Sequence, residues 1–194
     1  MSDSLLSLFA ERGALLEGHF LLSSGLHSSR YLQCAVVLAD PPLATRLGQQ
    51  LGDALRPLLK DATPKTVVAP ALGGVLVAHE VARALGCRGL FTERQEGKMT
   101  LRRGFALAAG EPVVVVEDVV TTGKSTREVI DTVTAAGARV LAVGSLVDRS
   151  GGSVDLGVPR VSLVELEVAN WTAESCPLCA KGDQPIKPGS RAIA

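Results

Sequence analysis

The sequence predicts an α/β fold in which a parallel sheet is flanked by helices. Between residues 41 and 147, continuous apolar runs alternate with segments whose apolar residues recur at helical spacing. The clearest run, VVVV at 113–116, lacks the polar alternation of a half-exposed strand, as expected for a parallel strand covered on both faces. A chain of 194 residues is long enough for one sizeable core and too short to make two full domains the default. We therefore predict a single domain over residues 1–194.

The predicted elements follow in chain order. The N-terminal stretch, MSDSLLSLFAERGALL, has the pattern of a short amphipathic helix. Asp40 followed by Pro41 and Pro42 marks the start of another helix, which ends near Lys60. Its leucines at 43, 47, 51, 55 and 58 recur at helical spacing. Beyond it we predict strands at 66–69, 89–94, 112–118 and 139–147, and helices at 75–85 and 125–136. Ligands of such sheets bind at the carboxyl ends of the strands.

Composition and charge argue against several classes of function. Twenty Lys and Arg balance twenty Asp and Glu, and aromatic residues make up 3% of the chain. The chain therefore lacks the net positive charge and the stacking platforms of a nucleic-acid-binding protein. Asp3 stands where a signal peptide carries positive charge, and no run of about eighteen uncharged apolar residues is present to span a membrane. We expect a soluble, cytoplasmic protein with no nucleic-acid or membrane partner.

Four cysteines are too few for a disulfide scaffold in a chain of this length. Cys176 and Cys179 form one CPLC pair, which opens a tail rich in Pro, Gly and Lys. A structural zinc site needs a second such pair or two histidines, and His19, His27 and His79 lie far upstream. We therefore predict an ordinary turn that carries two thiols, with zinc binding or redox chemistry as the alternative.

The most informative segment is VVVVEDVVTTGKST, residues 113–126. Four valines lead to Glu117 and Asp118 at the sheet edge, and the turn at 121–125 then opens a helix. A glycine turn at a helix N terminus presents N–H groups and the positive end of the helix dipole to an anion. The two acids suit vicinal ribose hydroxyls, which donate hydrogen bonds to carboxylates. The segment therefore predicts a site for a sugar phosphate.

Two other interpretations fit parts of this segment. Gly123, Lys124 and Ser125 match the end of a Walker A loop, which would indicate a nucleoside triphosphatase. That loop needs a glycine five residues before the glycine of GKS, and this position is Asp118. The second interpretation is that Glu117 and Asp118 merely end a strand in solvent. We do not favour this second interpretation. A strand that merely ends in solvent gives no reason for an apolar strand, two acids, a threonine-glycine turn and a helix to follow one another.

Residues 113–126 closely resemble the motif by which type I phosphoribosyltransferases bind PRPP (5-phosphoribosyl 1-diphosphate). The resemblance implies the fold of that family, a Rossmann-like parallel sheet with a small hood built from about residues 1–40 and the C-terminal tail, on a core at about 41–165. It also implies Mg²⁺ as the cofactor, held mainly by PRPP rather than by direct protein ligands. In the family the acids hold the ribose hydroxyls and the loop wraps the 5′-phosphate. These roles pass to Glu117, Asp118, Val119, Val120, Thr121, Thr122, Gly123, Lys124 and Ser125.

Further segments resemble the orotate-specific branch of this family. FLLSSGLHSSRYLQC, residues 20–34, is similar to its N-terminal base-binding hairpin. Asp148-Arg149, just past the last predicted strand, corresponds to its orotate-binding arginine. On position alone, the alternative is a surface Arg149 paired with Asp148. The resemblance assigns orotate binding to Tyr31, Leu32, Thr121 and Arg149.

APALGG, residues 69–74, matches the diphosphate loop of the family. The match implies that backbone N–H groups of Leu72 and Gly73 bind the diphosphate. Relatives often have a cis peptide here, so we expect one between Ala71 and Leu72. The chain departs from the best-known bacterial form at three places, and no side-chain role is transferred to them. Ser23 stands in place of a lysine, Leu72-Gly73 in place of an aromatic-lysine pair, and Thr100 in place of a histidine.

FTERQEGKMTLRRGF resembles the mobile catalytic loop of the family. Its cations are Arg94, Lys98, Arg102 and Arg103, and the alternative interpretation is an exposed basic turn. By resemblance, Arg94 and Lys98 reach the diphosphate of the neighbouring subunit, which implies a homodimer with shared active sites. We predict Lys98 and Asp118 as catalytic residues, with the Lys98 ammonium neutralising the departing diphosphate.

The resemblances together predict a pentosyltransferase of pyrimidine biosynthesis that converts PRPP and orotate into orotidine 5′-phosphate and diphosphate. One alternative is a purine phosphoribosyltransferase, which would lack the hairpin and the Asp148-Arg149 pair. The other is a regulator that binds PRPP without catalysis, which would have no need for a loop bearing a lysine.

Overall fold

The computed structural model describes residues 2–22, 24–166 and 168–188. The N-terminal part contains α1 (Ser2–Glu11), β1 (Leu15–Leu21), β2 (His27–Leu32), α2 (Cys34–Leu38) and α3 (Pro41–Leu59). The central part contains β3 (Thr66–Pro70), α4 (Gly74–Leu85), β4 (Arg88–Gln95), β5 (Lys98–Leu101), β6 (Pro112–Val120), α5 (Lys124–Ala135) and β7 (Arg139–Asp148). The chain then forms β8 (Arg160–Glu165), β9 (Asn170–Trp171) and a 3-10 turn (Cys179–Lys181).

The main sheet has six strands in the order β5-β4-β3-β6-β7-β8. Every neighbouring pair is parallel except β4 and β5. The four valines of β6 divide between the two faces of the sheet, as successive strand residues must. Val114 and Val116 pack in the core that includes α3 and α4, and Val113 and Val115 pack in the core that includes α5. The prediction of a parallel sheet covered by helices on both faces is confirmed.

Helix α3 begins as the sequence predicts. The Asp40 side chain accepts a hydrogen bond from the Leu43 backbone N–H at 3.3 Å, and prolines occupy the first turn. Leucines at 43, 47, 51 and 55 are buried, and Leu59 rather than Leu58 completes this face. None of the helices within the described residues combines the length and apolarity needed to cross a bilayer.

The segment that resembles a mobile loop forms a β-hairpin in this structure. Strands β4 and β5 pair antiparallel up to Gln95 and Lys98. The two residues between them, Glu96 and Gly97, have φ angles of 51° and 81°, as in the two-residue turns that join antiparallel strands. Met99 anchors β5 because its side chain is buried. Strand β5 was not predicted, because four residues carry too little periodicity, and α2, β8 and β9 were not predicted either.

A second, three-stranded sheet has the order β1-β2-β9. The hairpin of β1 and β2 lies at the N terminus, whereas β9 comes from the C-terminal part of the chain. The tail also returns to β1, where the Ile186 N–H donates to the His19 carbonyl and the Leu21 N–H donates to the Ile186 carbonyl, each at 2.8 Å. The two ends of the chain therefore form one layer, and the division into hood and core stays a prediction.

Candidate active site

Glu117 and Asp118 stand near the carboxyl end of β6. Glu117 is buried, and its Oε2 atom has no hydrogen-bond partner in the part of the chain that the structure describes. Nε of Arg149, immediately past the neighbouring strand β7, is also buried and unpaired there. Because an unpaired buried polar atom costs free energy, two of them at adjacent strand ends indicate a ligand that supplies their partners.

The two acids influence each other's ionisation. Burial, followed by the negative charge of Asp118, raises the pKa of Glu117 well above its usual range. Burial also raises the pKa of Asp118, although hydrogen bonds involving Glu117 and the Val119 backbone oppose this rise. Burial and then the charges of these carboxylates raise the pKa of the Cys34 thiol. A ligand that brings hydroxyl donors or positive charge to this pair would relieve the repulsion.

The turn that follows β6 leads directly into α5. Gly123 has a φ angle of 71°, and no side chain of the described residues caps the first turn of the helix. A Cβ at Gly123 would lie 2.6 Å from Cγ1 of Val154, so the turn also packs too closely for a side chain. Arg127 stabilises the turn, because its Nη1 atom donates a hydrogen bond to the Thr122 carbonyl at 3.1 Å. The N–H groups that open a helix have no partner within it, so this turn can bind a phosphate.

The loop at residues 69–74, which was predicted to bind the diphosphate, lies beside Asp118. The peptide bond between Ala71 and Leu72 is cis, as predicted. Gly73 approaches Asp118 so closely that a Cβ on the glycine would stand 2.5 Å from Asp118 Oδ2. A side chain at position 73, such as the lysine of the best-known bacterial form, does not fit here without movement of the Asp118 carboxylate. Glycine at position 73 therefore permits this close approach to Asp118.

Arg149 is buried, with 4% of its surface exposed. Its Nη2 atom donates to Ser28 Oγ at 2.8 Å and to the Arg30 carbonyl at 3.2 Å. Burial lowers its pKa. Asp148 instead forms an ion pair with Arg160. The alternative of a surface arginine paired with Asp148 is therefore wrong.

The two residues predicted to cover the base differ in their surroundings. Tyr31 is half-buried, and burial, then the charge of Asp118, raises its pKa, whereas Arg149 opposes the rise. Its ring packs against Phe20 with 5.8 Å between ring centroids. The side chain of Leu32 lies in the main hydrophobic core, because successive residues of a strand point to opposite faces. A contact between Leu32 and a base would have to come from its backbone.

Some basic side chains of the β4–β5 hairpin form ion pairs, and Lys98 forms none among the described residues. Arg94 forms an ion pair with Glu128 on α5 of the same chain, and Arg103 makes two hydrogen bonds to Glu93 at 2.8 and 2.9 Å. Lys98 is exposed at the start of β5 and takes part in no ion pair among the described residues. Of the two cations predicted to reach the diphosphate, Lys98 is therefore the one without a competing carboxylate.

A cleft of about 360 Å³ brings several predicted residues together. Its lining includes Thr121, Thr122 and Arg149, together with Leu26 from the loop between β1 and β2 and Asn170 of β9. A larger cavity of about 760 Å³ lies against α1, α3 and β8 and is lined by none of the predicted site residues. The chemistry therefore favours the smaller cleft at the strand ends.

Two residues that the sequence analysis does not single out hold the site in place. Ser28 accepts the hydrogen bond from Arg149, and Thr126 hydrogen-bonds Glu117 and thereby counteracts the rise in its pKa. Thr126 lies directly after the turn at 121–125, so its position was a usable signal. Ser28 lies in the hairpin predicted to bind the same base as Arg149, but nothing in the sequence singles it out from the other serines of that hairpin. Thr100 donates to the Glu93 carbonyl at 3.1 Å within the hairpin. Ser23 lies outside the described residues.

Comparisons with known proteins agree with this geometry. A family model described as the phosphoribosyl transferase domain matches residues 44–176. The orotate phosphoribosyltransferase of Heliobacterium modesticaldum is 57% identical over 97% of this chain and 98% of its own length. That of Carboxydothermus hydrogenoformans is 54% identical over 96% and 97%. The crystal structure of orotate phosphoribosyltransferase from Aeropyrum pernix is similar with a TM-score of 0.64 and 30% identity, covering 83% of this chain and 93% of that one. The chain therefore belongs to the orotate phosphoribosyltransferase family.

Proposed function

We propose that this protein transfers ribose 5-phosphate from PRPP to orotate, giving orotidine 5′-phosphate and diphosphate for pyrimidine biosynthesis. In the reaction the bond from C1′ to the diphosphate breaks, and a bond from C1′ to a ring nitrogen of the base forms. The observation that carries the proposal is that two buried atoms near the carboxyl ends of adjacent strands, Glu117 Oε2 and Arg149 Nε, have no hydrogen-bond partner among the described residues. One suits a hydroxyl donor on the sugar, and the other suits a carboxylate on the base.

PRPP binds along the edge formed by β3 and β6. Glu117 and Asp118 accept hydrogen bonds from the ribose hydroxyls, and the turn at 121–125 wraps the 5′-phosphate with its N–H groups. The backbone of Leu72 and Gly73, beside Asp118, donates to the diphosphate. The carboxylates thus accept hydrogen bonds from the ribose hydroxyls, and the backbone N–H groups donate hydrogen bonds to the phosphates.

The two carboxylates also fit a complex of PRPP with Mg²⁺, because their negative charge attracts the cation and Glu117 Oε2, which has no partner among the described residues, can accept a hydrogen bond from a ribose hydroxyl. Glu117 and Asp118 would hold it through the ribose hydroxyls of PRPP rather than alone. When bound, the ion supplies positive charge to the diphosphate. The protein itself orients the sugar and excludes water from C1′.

Orotate binds in the cleft beside Arg149. The guanidinium is oriented by Ser28 and the Arg30 carbonyl. Its Nε, which has no partner in the part of the chain that the structure describes, donates to the carboxylate of the base. Tyr31 packs against one face of the ring, Leu32 contributes only backbone, and Thr121 lies at the junction with the phosphate turn.

Lys98 acts on the departing diphosphate of a second subunit in a homodimer. Its exposure and lack of an ion pair among the described residues leave its ammonium free for this role. Arg94 assists only if its ion pair with Glu128 opens. We infer that the enzyme works in the cytoplasm as one domain with the second sheet as a hood.

One assay tests the activity and its specificity together. Diphosphate release from PRPP is measured with Mg²⁺ and with orotate, uracil, adenine, guanine or hypoxanthine as acceptor. Of the five bases, we expect only orotate to support release of diphosphate. Release with a purine instead would replace the proposal with a purine phosphoribosyltransferase, and no release with any base would leave a PRPP-binding regulator.

A further inference from the structure

Four potential metal ligands from the two ends of the chain meet in one place. His19 on β1, His27 on β2, Cys176 and Cys179 direct ligand atoms to points that all lie within 4.8 Å of one another. The first three are buried, and Cys179 is half-buried. The argument that the histidines lie too far upstream to join the CPLC pair does not hold for His19 and His27, because the fold brings both beside it. His19 lies 157 residues before Cys176, yet its Nε2 atom is 3.4 Å from the Cys176 sulfur.

The distances between these atoms approach those of a tetrahedral site. With Zn–N near 2.0 Å and Zn–S near 2.3 Å, ligand atoms around zinc lie about 3.3 to 3.8 Å apart. Cys179 Sγ is 3.3 Å from His27 Nδ1 and 3.8 Å from His19 Nε2. The two nitrogen atoms are 2.9 Å apart and need to separate by roughly 0.4 Å to reach that geometry.

A second contact orients one of the histidines for metal binding. His19 Nδ1 lies 3.1 Å from the carbonyl oxygen of Asp183. Donation of the Nδ1 proton to that carbonyl leaves Nε2, the atom that faces the cysteines, with a free lone pair. A ring nitrogen held by a backbone carbonyl is the usual support of a histidine that binds a metal.

We propose that His19, His27, Cys176 and Cys179 bind one Zn²⁺ in a closed structural site. Two neutral imidazoles and two thiolates provide four ligands, and the thiolates balance the charge of the ion. All four positions are occupied by protein atoms, so the site has no room for a reacting molecule. Its role is to attach the C-terminal tail to the hairpin of β1 and β2. The backbone hydrogen bonds between Ile186 and β1 join the same two parts of the chain.

A disulfide is the main competing state of the two cysteines. Both are free thiols in this structure, and a disulfide would not use His19 or His27, whose ring nitrogens face the sulfur atoms. A metal would engage all four of these side chains at once, whereas a disulfide would engage only the two cysteines.

The site also adjoins the cleft proposed for the base. His27 immediately precedes Ser28, whose hydroxyl accepts the hydrogen bond from Arg149. On the condition that the proposed function holds, we expect loss of the metal to raise the Michaelis constant for orotate more than that for PRPP. The metal content does not depend on this condition, so failure of the zinc site and failure of the proposed function are distinguishable.

The test compares metal content in matched variants of the untagged full-length protein. Cys179→Ser and His27→Gln each remove one ligand, whereas Cys87→Ser and His79→Gln change the same residue types outside the cluster. Zinc is measured by mass spectrometry after purification under reducing conditions. We expect about one equivalent per chain in the wild type and both controls, and less than about a tenth of this in the two ligand variants.

A measurement on the wild type keeps the proposal testable if the ligand variants fail to fold. The metal is removed with a chelator, and Co²⁺ is added to the reduced protein. We expect the strong visible absorption of tetrahedral cobalt bound to thiolates, at one equivalent, and a melting temperature lower without metal by on the order of 10 °C. The proposal is overturned if wild-type protein from zinc-supplied cells holds no stoichiometric metal and binds no Co²⁺, or if the controls lose metal equally.

Discussion

The backbone of Gly73 lies against the carboxylate of Asp118, with no room between them for a methyl group. A Cβ at position 73 would come within 2.7 Å of both carboxylate oxygens. Gly73→Ala must therefore displace Asp118, the acid proposed to hold the ribose. We expect kcat/KM for PRPP to fall by about 10- to 100-fold, because a misplacement of about 1 Å has effects of this size. Leu76→Ala, on the exposed side of α4, is the control, and equal activity of the two variants would contradict the contact.

Asp118→Asn separates binding from stability. Burial raises the pKa of both acids, so removing one charge relieves repulsion with Glu117, and we expect an unchanged or higher melting temperature. Losing a charge-assisted hydrogen bond to a ribose hydroxyl costs about 1.5 to 3 kcal/mol, roughly 10- to 150-fold in kcat/KM for PRPP. Steady-state kinetics and thermal unfolding are measured together. Unchanged kinetics would remove the ribose role, and a lower melting temperature would indicate a structural one.

Arg149→Ala tests recognition of the base. Orotate differs from uracil by one carboxylate, and the buried guanidinium is oriented by Ser28. Loss of a buried charge-assisted contact costs about 2 to 3 kcal/mol, or roughly 30- to 150-fold in kcat/KM for orotate. We expect the Michaelis constant for orotate to rise strongly and that for PRPP to stay nearly constant. An equal rise in both constants would instead place Arg149 at the sugar phosphate or in the fold.

Mixing two variants with strongly reduced activity tests whether Lys98 acts across a dimer interface. Lys98→Ala and Asp118→Asn homodimers each lack one group in both sites. If Lys98 serves the partner's site, each heterodimer has one site with both lesions and one with neither. Random exchange then restores roughly a quarter of full activity. Exchange is verified by native mass spectrometry, and a mixture that exchanges but stays inactive would show that Lys98 serves its own subunit.

Glu111 lies outside the candidate site, and its lowered pKa makes the stability of the fold depend on pH. Burial alone would raise its pKa, but hydrogen bonds from the Ala108 N–H, Thr66 and Arg88 outweigh burial and lower the pKa to about 2. A lowered pKa adds stability above the unfolded value of 4.5, and this stability disappears as the pH falls toward 2. We expect Glu111→Gln to reduce the free energy of unfolding at pH 7 by at most about 3 kcal/mol.

Urea unfolding at several pH values checks this expectation. We expect the difference in the free energy of unfolding between the wild type and Glu111→Gln to become smaller as the pH falls below 4.5. Asp131→Asn, which changes an exposed acid on α5, serves as the control with little change at any pH. A difference that stays constant down to pH 3 would show that Glu111 acts through packing rather than charge.

The local features of this protein could be predicted from its sequence. The valine run, the two acids and the threonine-glycine turn lie within fourteen consecutive residues, so a single strand, turn and helix brings them together without help from the rest of the chain. The cap at Asp40 and the leucines of α3 are equally local. In such segments the spacing along the chain fixes the spacing in space.

Only the tertiary structure decided which distant residues meet. The approach of Gly73 to Asp118, the hydrogen bond from Arg149 to Ser28, and the meeting of His19 with Cys176 span 45, 121 and 157 residues. No periodicity relates such residues, because their distance depends on how strands are ordered and how the tail returns to β1. The CPLC pair therefore seemed isolated along the chain, although the fold places two histidines beside it.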